Sequence, residues 1–173
     1  SEPDPRGLDA IGGLDNLKSD LLKFKAAISP DARAYGLPAP KGFLIAGIPG
    51  TGKTLAARAA AAAWKLPLIR LNVSALMGKY VGESEGNFRA AIQQVKALAP
   101  CILHLDEIEK ALSGTGNSGD TDGGTTARLF GELLTFMNDR DEIIFMLATA
   151  NDISKLPPEL KRAGRFDRVF FVD

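Results

Sequence analysis

The chain has 173 residues, 45% apolar and 24% charged, with Lys+Arg and Asp+Glu at 21 each. That length and composition suit one globular domain with a buried core, and a net charge of zero argues against a broad nucleic-acid-binding surface, though not against a local basic patch. A single cysteine excludes a disulfide within the chain, a single histidine excludes a zinc site built from His and Cys, and no apolar run approaches the ~18 residues that cross a bilayer.

Residues 1–10 carry Pro3, Pro5 and several charges, and are expected to be a poorly ordered lead-in without the apolar stretch of a signal peptide. Ile11-Gly12-Gly13-Leu14 reads as a tight turn, after which Asp15 can cap a helix running to about Ile28. Leu14, Leu17, Leu21, Leu22 and Lys25 follow helical spacing, and Pro30 stops the helix. Tyr35 to Lys41 is a loop. Gly42-Phe43-Leu44-Ile45-Ala46 is then a short run fit for a buried strand.

Gly47-Ile48-Pro49-Gly50-Thr51-Gly52-Lys53-Thr54 follows at once and reads G-x-x-x-x-G-K-[ST], the P-loop pattern. An Ala-rich helix, Leu55 to Trp64, comes next. A bare glycine turn could join any strand to any helix. Here the full pattern stands with both flanks present. The glycines let the backbone approach a phosphate, and the helix start adds a partial positive charge. Lys53 can reach the β- and γ-phosphates, and the Thr54 hydroxyl can ligate Mg²⁺. Pro49, Gly50, Thr51, Gly52, Lys53, Thr54 and Leu55 are the expected nucleotide contacts.

Leu66 to Asn72 reads as a second strand. The loop Met77-Gly78-Lys79-Tyr80-Val81-Gly82-Glu83-Ser84 then sets an aromatic and a branched residue between glycines. Tyr80 either tucks into the core or is displayed to grip something. Glu85 to Leu98 reads as a helix with Phe88, Ala91, Ile92, Val95 and Leu98 on one face. Cys101-Ile102-Leu103-His104-Leu105 is a continuous apolar strand, as a parallel sheet covered on both faces requires.

That strand ends in Asp106-Glu107, which delivers two acids to the carboxyl edge of such a sheet. Asp106 suits the Mg²⁺ shell through water, and Glu107 suits polarising an attacking water. Ser113 to Gly124 is rich in Gly, Ser, Thr, Asn and Asp and reads as flexible. A helix from Thr125 to Asn138 carries Leu129, Leu133, Leu134 and Met137 inward. Glu142 to Ala148 is a further buried strand, followed by Thr149-Ala150-Asn151. Asn151 could hold the attacking water or a phosphate oxygen. It could equally be turn chemistry, since Asn151-Asp152 is an ordinary turn pair.

Leu156 to Arg162 reads as a short helix, and Val169 to Val172 as the last strand. Between them, Arg162 and Arg165 stand near Gly164. Guanidinium groups fit phosphate oxygens bidentately, but a basic loop paired to Asp167 or to solvent fits the same spacing. Strands alternating with helices predict a parallel α/β sheet with nucleotide chemistry at its carboxyl edge.

Together these stretches resemble the large ATPase subdomain of AAA+ proteins, in the AAA-proper branch that includes katanin and the proteasomal ATPases. The marks are Ile11-Gly12-Gly13, the P-loop, Lys79 to Glu85, Leu105-Asp106-Glu107-Ile108-Glu109, Ala148 to Asn151, and Leu156 to Asp167. Within that branch the chain is most similar to the AAA proteins of cyanobacteria and red-algal plastids, through Tyr35 to Gly42 and Ala97 to Cys101. The resemblance implies a three-layer α/β/α P-loop NTPase fold over residues 11–173, with a five-stranded parallel sheet in the order 5-1-4-3-2. It implies ATP or ADP with Mg²⁺ as ligands, held by Lys53, Thr54 and Asp106, with Ile11 and Gly13 flanking the adenine. Glu107 would activate water and Asn151 would sense the γ-phosphate. Arg162 and Arg165 would be fingers reaching the nucleotide of a neighbouring subunit. Lys79, Tyr80 and Val81 would form a pore loop gripping polypeptide, and Gly114 to Gly124 would hold a second one.

The resemblance further implies a homo-oligomeric ring, commonly a hexamer, that remodels a protein substrate or works with an adaptor. A scaffold that binds nucleotide and oligomerises without threading is the alternative. Nucleic-acid translocation fits less well, because the charge is balanced. A membrane-tethered protease is unsupported, because no H-E-x-x-H occurs. The expected location is the cytoplasm, or the plastid stroma for an algal source. Lys161 and Ala163 depart from the family's usual apolar residue and proline, and His104 departs from its larger apolar residue. The family's helical lid would follow Asp173, so the chain is expected to be an excised large subdomain.

Overall fold

Apolar runs without polar alternation need cover on both faces. The computed structural model, which describes residues 15–27, 31, 34–36, 40–47, 53–73, 83–109, 121–139, 141–162 and 165–172, supplies that cover. Its elements are α1 (Asp15–Ala27), β1 (Gly42–Gly47), α2 (Lys53–Trp64), β2 (Leu68–Asn72), α3 (Glu83–Ala97), β3 (Cys101–Asp106), α4 (Thr121–Asp139), β4 (Ile144–Ala150), a 3-10 turn (Ile153–Lys155), α5 (Pro158–Lys161) and β5 (Arg168–Val172). The strands form one sheet, every pair parallel, in the order β2-β3-β4-β1-β5. That is the expected order, read from the opposite edge.

Strand alternation divides the core in two. Phe43, Ile45, Ile102, Phe145 and Leu147 face Leu21 and Phe24 of α1 and the alanines and Trp64 of α2. Leu44, Leu103, Leu105, Met146 and Ala148 face Phe88, Ile92 and Val95 of α3 and Leu129, Leu133 and Met137 of α4. The Ala-rich α2 presents little side-chain bulk, so it can lie close over the strands. Trp64 Nε1 donates to the Leu21 carbonyl at 3.1 Å and ties α2 to α1. Past Trp64, Lys65 takes the left-handed conformation (φ 55°), and the Leu66 N–H bonds back to the Ala61 carbonyl, a Schellman-type end made without glycine.

The entry to β1 is fixed from the far end of the chain. Asp167 Oδ2 accepts the N–H groups of both Lys41 and Gly42 at 2.7 Å, and the Asp167 N–H donates to the Gly42 carbonyl at 2.8 Å. Asp167 is therefore a backbone clamp between β1 and the start of β5.

Several boundaries differ from expectation. α2 begins at Lys53 rather than Leu55, β2 begins at Leu68 rather than Leu66, and β4 runs from Ile144 to Ala150. The short helix is confined to Pro158–Lys161. α4 starts at Thr121, so the last four residues of the Gly-rich tract are its first turn. Leu98 was expected inward but is 53% exposed, because α3 ends at Ala97 and periodicity fails beyond the last helical residue. Leu22 is likewise exposed on α1.

Candidate functional site

A parallel sheet puts the carboxyl ends of all its strands at one edge. Gly47, Asn72, Asp106 and Ala150 end their strands there, and the α2 start at Lys53 lies beyond Gly47. Leu68, Ile102 and Leu147 belong to the core under α2. By the period of two, Arg70, His104, Asp106 and Thr149 share that face.

Their contacts form one network. Asp106 Oδ1 accepts the Thr149 hydroxyl at 2.9 Å, and Oδ2 accepts the Arg70 guanidinium in a very close ion pair. Thr149 Oγ1 in turn faces His104 Nε2 and the Glu107 N–H, both at 3.4 Å. With the hydroxyl hydrogen directed to Asp106, Thr149 accepts the Glu107 N–H, and this arrangement suits His104 with its hydrogen on Nε2. Burial pushes His104 down to about 4, against the pull of Asp106, so the ring is neutral at physiological pH. Burial alone would raise the Asp106 carboxyl, but the hydrogen bonds from Arg70 and Thr149 outweigh it and hold the group below its usual range.

Glu107 follows at the strand end with φ 52°, a left-handed conformation that non-glycine residues adopt at a cost. Such backbone concentrates at functional sites. Its Oε1 stands 3.4 Å from the Asn151 amide Nδ2. The Asn151 N–H is itself held at 2.9 Å by Oε1 of Glu109, a residue only 3% exposed. Lys53 is also buried, and its Nζ donates to the Gly47 carbonyl at 2.7 Å. Burial lowers the Lys53 amine, while the charges of Glu109, Asp106 and Glu107 oppose that shift. One cation and three carboxylates are thus electrostatically coupled at the sheet edge.

The structure brings together Lys53, Asp106, Glu107 and Asn151, with Thr54 exposed and Leu55 half-buried on the first turn of α2. Neither Arg162 nor Arg165 is among the described contacts of this network. Arg165 is two residues from Asp167, which is clamped at the amino edge of β1. The rise of β1, Gly42 to Gly47, separates that edge from the phosphate-loop end by roughly 16 Å. Among the described residues no ion pair holds either guanidinium. Ile11, Gly13, Pro49, Gly50, Thr51 and Gly52 lie outside the described residues, as do Lys79, Tyr80 and Val81, expected to form a pore loop. So does the tract before Thr121.

Sequence reasoning missed Arg70, Thr149 and Glu109. Arg70 interrupts an apolar strand and Thr149 stands in a buried one, which are signals that a polar partner lies across the sheet. The groove between α3 and α4, lined by Phe88, Ile92, Glu132 and Phe136, contains none of the network residues.

A family model described as "ATPase family associated with various cellular activities (AAA)" matches residues 43–173. The chain is 52% identical over 163 residues to "Uncharacterized AAA domain-containing protein ycf46" of Guillardia theta, covering 94% of this chain and 32% of that protein. The protein of the same name from Pyropia yezoensis is 49% identical, covering 94% of this chain and 33% of its own length. "Peroxisomal ATPase PEX6" of Arthrobotrys oligospora is 34% identical over 95% of this chain and 14% of its own length. The chain therefore spans about a third or less of the relatives it matches.

Proposed function

The chain belongs to the AAA family of ATPases, and from that footing we propose that its carboxyl-edge cluster binds ATP with Mg²⁺ and hydrolyses it by attack of water on the γ-phosphate. The observation that carries this reading is the convergence of Lys53, Asp106, Glu107 and Asn151, supplied by α2 and by the ends of β3 and β4. Lys53 would turn from the Gly47 carbonyl to the phosphates, whose charge would join the three carboxylates in favouring its ammonium form. Glu107 would take up the proton of the attacking water, and the Asn151 amide, 3.4 Å from that carboxylate, would steady it.

The donor set suits Mg²⁺. Among the described residues no three His, Cys, Asp or Glu side chains gather into a metal cage. Mg²⁺ is commonly held by one or two protein oxygens together with phosphates and water. The Thr54 hydroxyl and the Asp106 carboxylate would hold it, and when bound it would neutralise charge developing on the phosphates.

By family resemblance, Arg162 and Arg165 would act on a neighbouring subunit's nucleotide in a ring, commonly hexameric; that no described ion pair occupies either guanidinium supports this reading. By family resemblance, the Lys79-Tyr80-Val81 loop would grip a protein substrate as ATP is turned over. No helix among the described residues is long and apolar enough to cross a membrane. The cytoplasm, or the stroma in an algal plastid, is the proposed location.

The binding half of this reading is tested by Lys53→Ala. Losing a charge-assisted contact to phosphate is expected to weaken ATP binding about tenfold to a hundredfold, measured by displacement of a fluorescent nucleotide. Unchanged affinity would remove Lys53 from the site.

A further inference from the structure

Asp106 is the carboxylate proposed for the metal's shell, yet both of its oxygens already have partners. Oδ1 holds the Thr149 hydroxyl and Oδ2 holds the Arg70 guanidinium. Arg70 is the cation in direct ion-pair contact with the Asp106 carboxylate. The strand register brings the two side chains within reach. Arg70 is in register with His104, and Asn72 with Asp106, so Arg70 reaches Asp106 by a diagonal step across adjacent strands.

The two partners differ in their surroundings. The Asp106 side chain is 12% exposed, whereas that of Arg70 is 47% exposed. A buried carboxylate needs a partner. A half-exposed guanidinium can release its partner to water without being stranded. Arg70 can therefore yield to another cation, and a divalent ion arriving with phosphate is the chemistry that would ask it to.

We propose that Arg70 is a positioning residue that sets the site's Mg²⁺ requirement: it orients Asp106 and competes with Mg²⁺ for that carboxylate's charge. The inference rests on the ATP–Mg²⁺ reading above. Each Asp106 oxygen keeps a second lone pair, so a metal-bound water can still bond while Arg70 stays. A unit positive charge one hydrogen bond from the carboxylate nevertheless opposes the ion. With water-like screening, that opposition is worth on the order of tenfold in affinity. A merely structural Arg70 would affect folding and nucleotide binding alike, with no separate effect on the metal.

The test is a MgCl₂ titration of the full chain with fluorescent ADP, which reads metal-assisted binding without hydrolysis. Wild type is compared with Arg70→Gln, which keeps a donor but loses the charge, and with Arg70→Lys, which keeps the charge. Arg70→Gln is expected to reach half-saturation at about tenfold lower Mg²⁺, with Arg70→Lys close to wild type and metal-free ADP affinity in EDTA unchanged. If Arg70→Gln leaves the buried carboxylate too poorly paired to fold, seen by circular dichroism, Arg70→citrulline keeps the side-chain N–H donors without the charge for the same titration. An unshifted or higher Mg²⁺ half-point in the folded uncharged variant overturns the proposal alone. If ADP binding in wild type is indifferent to Mg²⁺, the metal-site reading fails and takes the proposal with it.

Discussion

Glu107→Gln is expected to retain nucleotide binding while ATP turnover falls by about 10²–10⁴, the usual range for losing a general base. Glutamine has nearly the same shape, so the contact with Asn151 Nδ2 at 3.4 Å can persist through its carbonyl oxygen. What disappears is the basic oxygen that takes the water's proton. The neighbouring acids cannot replace it. Asp106 is committed to Arg70 and Thr149, and Glu109 is turned to the Asn151 backbone. Single-turnover phosphate release measures the chemical step, and fluorescent-ADP binding controls for folding. Turnover as fast as wild type would remove Glu107 as the base.

Gly42→Ala is expected to damage the fold itself. A Cβ at residue 42 would lie 2.1 Å from the Met146 carbonyl oxygen and 2.8 Å from the Met146 carbonyl carbon, both backbone atoms of the adjacent strand. No rotamer change relieves that overlap. Gly42 also has φ +152°, within the range that L side chains rarely adopt. Relief requires β1 to part from β4, where Gly42 is in register with Met146, or the Asp167 clamp on the Gly42 N–H to open. The cost is expected to exceed about 3 kcal/mol, a large share of the roughly 5–15 kcal/mol that hold a domain folded. Thermal unfolding should show Tm lower by roughly 10 °C, or no cooperative transition. A Tm within a degree or two of wild type would contradict this packing.

The order of elements was legible because a buried parallel strand shows itself as an unbroken apolar run between turn signals. The ends were less legible. Leu66-Pro67 reads as strand by composition, but β2 starts only at Leu68. The Pro67 carbonyl still accepts the Ile102 N–H at 2.9 Å, so the ladder reaches one residue past the strand. Gly123 and Gly124 delayed the expected start of α4 to Thr125, because intrinsic propensity is a weak prior that the rest of a packed helix can override.

The candidate site divided along the same line. Lys53, Asp106, Glu107 and Asn151 were readable because each sits where a strand or glycine loop meets the carboxyl edge. Arg70 and Thr149 reach Asp106 across 36 and 43 residues of sequence, through a register that no local pattern specifies. Asp167 was offered to the neighbouring arginines by proximity in sequence. In the fold, the backbone N–H groups of Lys41 and Gly42 claim it. Arg162 and Arg165 remained ambiguous on spacing, and the fold adds only that Arg165 stands two residues from the Asp167 clamp at the amino end of β1.

The measurement to make first is ATP hydrolysis per subunit against protein concentration, for wild type and for Arg162→Ala. If one chain's Lys53–Glu107 cluster is completed by a neighbour's arginines, the specific rate climbs as subunits associate, and Arg162→Ala removes the climb. A rate that is high and flat down to dilutions holding only monomers would mean that the site is complete in one chain, and would contradict the shared site and the ring together.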